Sequence, residues 1–421
     1  MRVSTVVSRR LVLRVGAVAT AAAIIKPLPV QAANADLVLI SLADLHSPYA
    51  QLPALLSQVK RAAAEANAPV RILVNGDVFE RGNVVALRSN GAVDLAFLRA
   101  LSAIAPTIVN LGNHETALFD DPAAAVAALR DCGAAVISNI VDQRSGQPYA
   151  PPAIRIPLGA GEVAIMGVAT DALPTYRQAV RSMLSIPKPA DYVAASFAKL
   201  TGGARLAVVM SHAGVSADRA ILQMMPPRSL LVGGHDHLRF DHDDADRRVF
   251  FHGGSWGNHL RIVAVDARAN DGPRISVAEW ATSEGAADST LAAEVAKQEA
   301  AHLTADDRAE LAMLPRAYDL AASALMATEA VRSAARADVA FLNHTSFGDG
   351  LPAGSVSKYR FDSFLRFDGD VRAAAVDGAT LRDILGRANQ FKAAALDQRT
   401  GDFVYANELA IDPTAQYRVA A

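Results

Sequence analysis

The residues best able to do chemistry in this 421-residue chain fall in five short clusters. They are Asp44-Leu-His46, Gly76-Asp77, Gly112-Asn113-His114-Glu115, Ser211-His212 and Gly233-Gly234-His235-Asp236-His237. Together they offer carboxylate and amide oxygens and imidazole nitrogens, enough for two metal ions, and no thiolate takes part. Paired ions held by Asp, Asn and His are a device for attacking phosphate esters. On an extended segment, Asp-x-His turns a carboxylate and an imidazole to the same side, where both can reach one ion. The two-residue spacing of His235 and His237 does the same for two imidazoles. Gly76 permits a tight turn before Asp77, whose two carboxylate oxygens can bridge two ions. Asn113 can ligate through its amide oxygen without adding charge, and His114 beside it then points elsewhere, toward a leaving group. A single Asp-x-His or Gly-Asp reads as an ordinary turn; the ordered set of five reads as a metal centre.

These clusters need elements to bring them together. Each follows an apolar run that reads as a strand: 37–42 before Asp44, 70–75 before Asp77, 107–111 before Asn113, 204–210 before His212 and 229–232 before His235. Helical patterns at 51–66, 91–101 and 121–129 alternate with them, the last opening on Asp121-Pro122. The alternation predicts an α/β layered fold with at least partly parallel strands. In such folds the loops at the carboxyl ends of the strands gather at one place. Segments 250–252 and 260–265 are expected as antiparallel strands closing the domain. From Glu284 to about Arg336 the chain is rich in Ala, Glu and Arg and is expected to be helical, broken at Pro315. A strand at 339–342 then opens a second, smaller α/β unit.

Composition sets the outer bounds. The chain is 51% apolar and 20% charged with a formal net charge of -2, an ordinary globular balance that gives no support for a nucleic acid polymer as partner. The single cysteine, Cys132, excludes an internal disulfide and a multi-cysteine zinc site, and reads as a small buried thiol. Residues 1–35 read as an export signal. Ser8-Arg9-Arg10-Leu11-Val12-Leu13 precedes an Ala-rich apolar stretch over 15–25, and small residues follow at Ala32, Ala33 and Ala35. The adjacent arginines resemble a twin-arginine signal. The apolar stretch is short of a full bilayer span. Cleavage after Ala32 or Ala35, no stable membrane insertion, and a periplasmic or secreted mature protein are therefore expected.

Residues 36 to about 280 resemble the calcineurin-like metallophosphoesterase superfamily, whose motifs Asp-x-His, Gly-Asp, Gly-Asn-His-Glu, Ser-His and Gly-His-x-His occur here in its order. The whole chain resembles the secreted bacterial 5′-nucleotidase branch. The resemblance implies a layered β-sandwich flanked by helices over 36–284, a helical linker over 285–310 and a nucleotidase-like α/β domain over 311–421. It implies two divalent ions (Mn, Zn, Fe or Co). Asp44, His46 and His237 would hold one, Asn113, His212 and His235 the other, with Asp77 bridging. Such a pair neutralises phosphate charge and lowers the pKa of a bridging water, whose hydroxide attacks phosphorus in line. His114 would stabilise the departing alkoxide. Many relatives carry an orienting Asp three residues after this histidine. Position 117 is Ala here, so Asp120 or Asp121 is expected to fold back in that role.

In the second unit the resemblance matches Asn343 to a substrate loop and Phe367 to one aromatic of a nucleobase clamp. Gly348 stands where relatives place a substrate-binding Arg, and the chain stops at Tyr417-Arg418-Val419-Ala420-Ala421, so this domain reads as incomplete. The expected function is hydrolysis of nucleotides or similar small phosphomonoesters. Two other readings stay open at this point. One keeps the fold with another substrate, as a 2′,3′-cyclic phosphodiesterase, a sugar-phosphatase or a thiosulfohydrolase. The other is a non-catalytic binding protein.

Overall fold

The computed structural model describes residues 35–268, 272–366, 369–392, 395–401 and 403–421. The proposed export signal and Phe367 lie outside the described residues. The rest form two compact units, one from 35–81 with 85–302, the other from 303–421 with 82–84.

The first unit is built from two six-stranded sheets. Its strands are β1 (Leu37–Ala43), β2 (Val70–Asn75), β3 (Thr107–Asn110), β4 (Ala135–Ile137), β5 (Val141–Asp142), β6 (Ala153–Leu158), β7 (Gly161–Ala169), β8 (Leu184–Ser185), β9 (Leu206–His212), β10 (Leu230–Gly233), β11 (Arg239–Asp243), β12 (Val249–Gly253), β13 (His259–Asp266) and β14 (Arg274–Ala281). One sheet runs β14-β13-β1-β2-β3-β4 and the other β11-β12-β10-β9-β7-β6. Within the first, β1, β2, β3 and β4 pair in parallel, as the alternation with helices requires. Strands β7, β9 and β10 do the same in the second.

Alternate residues of these strands meet in one core. Leu37 and Leu39 of β1, Val208 and Met210 of β9, and Leu230 and Val232 of β10 join Ile108, Ile165, Phe251 and Val263 in a single buried cluster. The period of two puts every second side chain between the sheets. The intervening residues of β1 (Val38, Ile40, Leu42) are buried as well, because helices cover the outer face. That is why the strand reads as a continuous apolar run. Helix Leu52–Glu65 supplies Leu55, Leu56 and Val59 to that layer, and helix Ala92–Ile104 supplies Phe97, Leu98 and Leu101. Helix Pro122–Asp131 starts as its Asp121-Pro122 predicts, with the Asp121 side chain accepting from Ala123 N–H. Cys132, just beyond it, is buried.

Two expectations are corrected, and one hairpin is new. Segment 249–253 (β12) runs parallel to β10 and antiparallel only to β11, so it extends the second sheet rather than closing the domain. The β6–β7 hairpin, turning through Gly159-Ala160, is an element the sequence reading did not single out. The region from Glu284 to Arg336 is not continuously helical. Helices Ser289–His302 and Leu320–Ala335 flank a strand, β15 (Glu310–Leu314), which ends before Pro315 and pairs with β17 (Gly354–Ser357). Sheet pairing overrides helix propensity there.

The second unit has a four-stranded sheet. Besides β16 (Val339–Asn343) it contains β18 (Ala373–Asp377), β19 (Val404–Ala406) and β20 (Gln416–Ala420), in the order β18-β20-β16-β19. Ala340 packs with Val331 of helix Leu320–Ala335. Its neighbours Val339 and Phe341 pack with Leu381 of helix Gly378–Gly386. Helices therefore cover both faces, giving a smaller α/β layer structure.

Candidate metal centre

The ligand-bearing residues leave the carboxyl ends of β1, β2, β3, β9 and β10, so both sheets contribute. The seam between the sheets is fastened directly beneath them. Asn75 at the end of β2 donates to Ser211 O (2.8 Å) and Val232 O (3.0 Å) of the opposite sheet. Asn110 at the end of β3 donates to Val168 O and Met210 O (3.0 Å each) and to Asn75 Oδ1 (2.9 Å). The Asn75 carbonyl lies 2.8 Å from His212 Nδ1, which turns His212 Nε2 toward the carboxylates.

Above the seam the loops zip together. Asp44 N–H donates to Gly76 O, His46 N–H to Asp77 O and Ser47 N–H to Val78 O. Glu115 ties in the third loop, accepting from Val78 N–H (2.9 Å) and Gly112 N–H (2.6 Å). These turns are tight. Asp44, His46, Ser47, Asp77, His235 and His237 all have positive φ, between 49° and 83°, in the left-handed region that non-glycine residues seldom occupy.

Three groups of side chains converge, the ligand atoms of each lying within 4.8 Å of one another. Asp44, His46 and His237 make the first, Asp77, His212 and His235 the second, and His46, Asp77 and His114 the third. Asp77 joins the second to the third, with His212 Nε2 at 3.1 Å and His46 Nε2 at 3.6 Å. His46 Nε2 and His237 Nε2 are 2.9 Å apart. Asn113 donates its amide to Thr175 O (3.3 Å), and its Oδ1 is buried without a hydrogen-bond partner. His235 Nδ1 is likewise buried without one. A buried acceptor left unmade is unfavourable unless something fills it, and a cation is the partner that a carbonyl oxygen and an imidazole lone pair share. The donor set therefore fits two hard-to-borderline divalent ions.

Ligation needs neutral imidazole and ionised carboxylate, a state that burial favours at His46 and His235 and opposes at Asp44, whose carboxyl it raises to about 8. Burial pushes His46 down to about 4 and His235 down to about 3, leaving each a lone pair to give. Burial acts against the charge on His212 too, but the Asp77 and Asp44 carboxylates outweigh it and raise that imidazole to about 10. Burial likewise opposes ionisation of Asp77, yet His212, His114 and His46 hold its carboxyl well below the usual range. The His212–Asp77 pair thus binds a proton where a cation can replace it.

His114 stands apart. Its side chain is 23% exposed, whereas those of His46, His212 and Asp77 are at most 3% exposed, and its backbone N–H donates to Asp77 Oδ1 (2.7 Å). The expected orienting carboxylate is not Asp120. That side chain is 91% exposed and pairs with Arg177 Nη1 at 2.6 Å, while Asp121 caps its helix and pairs with Arg144. Instead Glu80 Oε2 lies 3.3 Å from His114 Nδ1 and 3.2 Å from His46 Nδ1. Glu80 is buried, and its N–H donates to Ser47 Oγ (2.9 Å), which seats it between the two rings. It is three residues after Asp77, so the signal was a carboxylate just beyond the Gly76-Asp77 cluster. In the second unit, Asn343 Oδ1 accepts from Thr345 N–H (2.9 Å) and Thr345 Oγ1 (2.8 Å), closing a local turn.

Residues 38–239 match the calcineurin-like phosphoesterase family model. The chain is 22% identical over 332 residues to the uncharacterized metallophosphoesterase YunD of Bacillus subtilis (strain 168), covering 75% of this chain and 70% of that one. Among solved structures it resembles the sulfate thiohydrolase SoxB of Thermus thermophilus, with TM-score 0.65 and 16% identity over 92% of this chain and 88% of that one. It also resembles a 5′-nucleotidase precursor from Thermus thermophilus, with TM-score 0.58 and 17% identity over 91% and 88%. Both likenesses extend over the two-unit architecture. Residues 38–239 accordingly form a domain of the calcineurin-like phosphoesterase family, metal-dependent phosphoester hydrolases built around a dimetal centre.

Proposed function

We propose that this chain is an exported phosphomonoesterase acting on nucleotides or similarly small phosphate esters. The observation that carries the reading is the convergence of Asp44, His46, Asp77, His212, His235 and His237 with a part-exposed His114. In this reading Asp44, His46 and His237 would hold one ion, Asn113, His212 and His235 the other, and Asp77 would serve both. Two bound divalent ions supply charge neutralisation at phosphorus and a nucleophilic oxygen at neutral pH.

The remaining chemistry belongs to the chain. Glu80 orients His114 through Nδ1, so Nε2 is the atom left to face the ester. A protonated His114 there donates to the leaving oxygen as the P–O bond breaks. Asp77 accepts from the His114 backbone and fixes the imidazole's position relative to the centre. Asn343 and Phe367 are proposed to meet the nucleoside, on the resemblance alone. Export is proposed from Arg9-Arg10 and the apolar stretch that follows; no helix among the described residues is long and apolar enough to cross a membrane.

The test is a substrate panel with manganese present: AMP, an aryl phosphate, a 2′,3′-cyclic nucleotide, a sugar phosphate and a thiosulfate conjugate. Turnover of AMP or the aryl phosphate is expected to exceed that of the others. Preference for the cyclic ester or the thiosulfate conjugate reassigns the substrate, and silence on every ester with any divalent ion removes the enzyme reading.

A further inference from the structure

Trp256 lies in the turn between β12 and β13, outside the five clusters, and touches all three members of one ligand group. Its indole stacks on the His46 imidazole, with centroids 4.7 Å apart and planes at 24°. It meets the His237 ring edge-on at 5.8 Å and 87°. Its backbone N–H donates to Asp44 O at 2.8 Å. Asp44, His46 and His237 are the members of the first ligand group.

The backbone that presents this side chain is unusual. Trp256 has φ of 66° and Gly257 follows at 63°, a pair of left-handed residues as in a type I′ turn. Glycine suits the second position, where a Cβ would come within 3.3 Å of Leu55 and Pro48. A bulky aromatic at the first is a conformational outlier. Trp256 is nonetheless only 2% exposed, so packing holds it in place. An outlier kept rigid beside a ligand group invites a functional reading.

We propose that Trp256 is a positioning residue for the Asp44–His46–His237 ion. Its flat face fixes the plane of His46, its edge limits rotation of His237, and its N–H fixes the strand end that carries Asp44. Imidazole nitrogens 2.9 Å apart need such a wall to stay converged before a cation joins them. The role rests on the dimetal reading of the centre and goes beyond it by assigning a residue that ligates nothing and selectively supports one of the two ions.

The chain has two tryptophans, so W280F leaves Trp256 as the sole indole. Titrating metal-free W280F with Mn²⁺ is expected to change its emission in step with one of two equivalents. Calorimetric Mn²⁺ titration then compares W256F with W256L. The phenyl ring is expected to keep both affinities within about threefold of wild type, and leucine to weaken one ion by about 10- to 100-fold while the other is unchanged. Two wild-type affinities in W256L, or equal weakening of both ions, overturns the proposal. W280F emission that ignores bound Mn²⁺ overturns it too, without depending on how the Trp256 variants fold. Loss of one ion in W256L from a protein that hydrolyses no ester would leave the positioning role standing and remove the phosphomonoesterase reading. A wild-type chain that binds no divalent ion removes both.

Discussion

Replacing Glu80 separates the two carboxylates that compete for the role of orienting His114. Glu80 Oε2 contacts His114 Nδ1 at 3.3 Å and His46 Nδ1 at 3.2 Å, all in a buried pocket apart from the exposed edge of His114. A hydrogen bond to a charged group contributes about 1.5–3 kcal/mol. At about 1.4 kcal/mol per tenfold, its loss predicts a fall in kcat of roughly 10- to 150-fold. E80Q keeps a neutral acceptor and belongs at the low end; E80A belongs at the high end. D120A removes only a surface partner of Arg177, and its turnover is expected to stay within about twofold of wild type. Because Glu80 also touches His46, the assay is run at saturating Mn²⁺, with metal content measured alongside. Two substrates then isolate His114. An alkyl phosphate needs its leaving oxygen protonated more than p-nitrophenyl phosphate does, so E80A is expected to harm the alkyl ester more. Wild-type rates for both esters in metal-loaded E80A, or an equal loss in D120A, would refute the assignment.

Other perturbations test different links. A Cβ on Gly112 would lie 2.3 Å from Asp77 Oδ1 and 2.8 Å from His212 Nε2, requiring a shift of about 1 Å, so G112A is expected to lose about 100-fold in turnover. G253A, whose Cβ meets nothing nearer than 3.8 Å, is the matched control and keeps its rate. H114A is expected to retain both ions by elemental analysis yet lose most turnover; a normal rate removes His114 from the mechanism. Burial raises the Asp94 carboxyl to about 7, with Tyr49 OH donating to it at 2.7 Å. The unfolded chain releases that proton near pH 4, so Asp94 contributes stability below pH 4 that is lost as pH rises to 7. D94N is therefore expected to gain about 2–3 kcal/mol relative to wild type between pH 5 and pH 8 in urea unfolding, and parallel curves would contradict this. Divalent ion at a hundredfold excess over Kd is expected to stabilise the native chain by about 2.7 kcal/mol, raising Tm by roughly 3–5 °C, with chelator reversing it.

The ligand candidates are legible in the sequence because each follows a strand buried on both faces. Such strands announce themselves as apolar runs, and a polar residue just after the run is at the sheet's carboxyl edge. Asp44, Asp77, Asn113, His212 and His235 all obey that rule. Glu80 does not, because its place depends on the loop doubling back: Asp77 turns left-handed and Glu80 N–H finds Ser47 Oγ, contacts between loops thirty residues apart in sequence. Asp120 was the nearer carboxylate along the chain and is farther in space for the same reason. Trp256 is invisible to motif reading since it ligates nothing. In the second unit β15 escaped because a strand of Glu-Leu-Ala-Met-Leu has helical composition, and only its partner β17 makes it a strand.

The left-handed backbone at Asp44, His46, Asp77, His235 and His237 sets selection for stability against selection for catalysis. Each such non-glycine residue carries a conformational cost of up to about 1–2 kcal/mol that glycine would not. In a metal-poor medium, drift toward glycine at these five places would make the chain more robust while dismantling its centre. A screen for thermal survival without added metal is thus expected to enrich inactive variants there first, whereas the same screen with manganese present preserves the original residues.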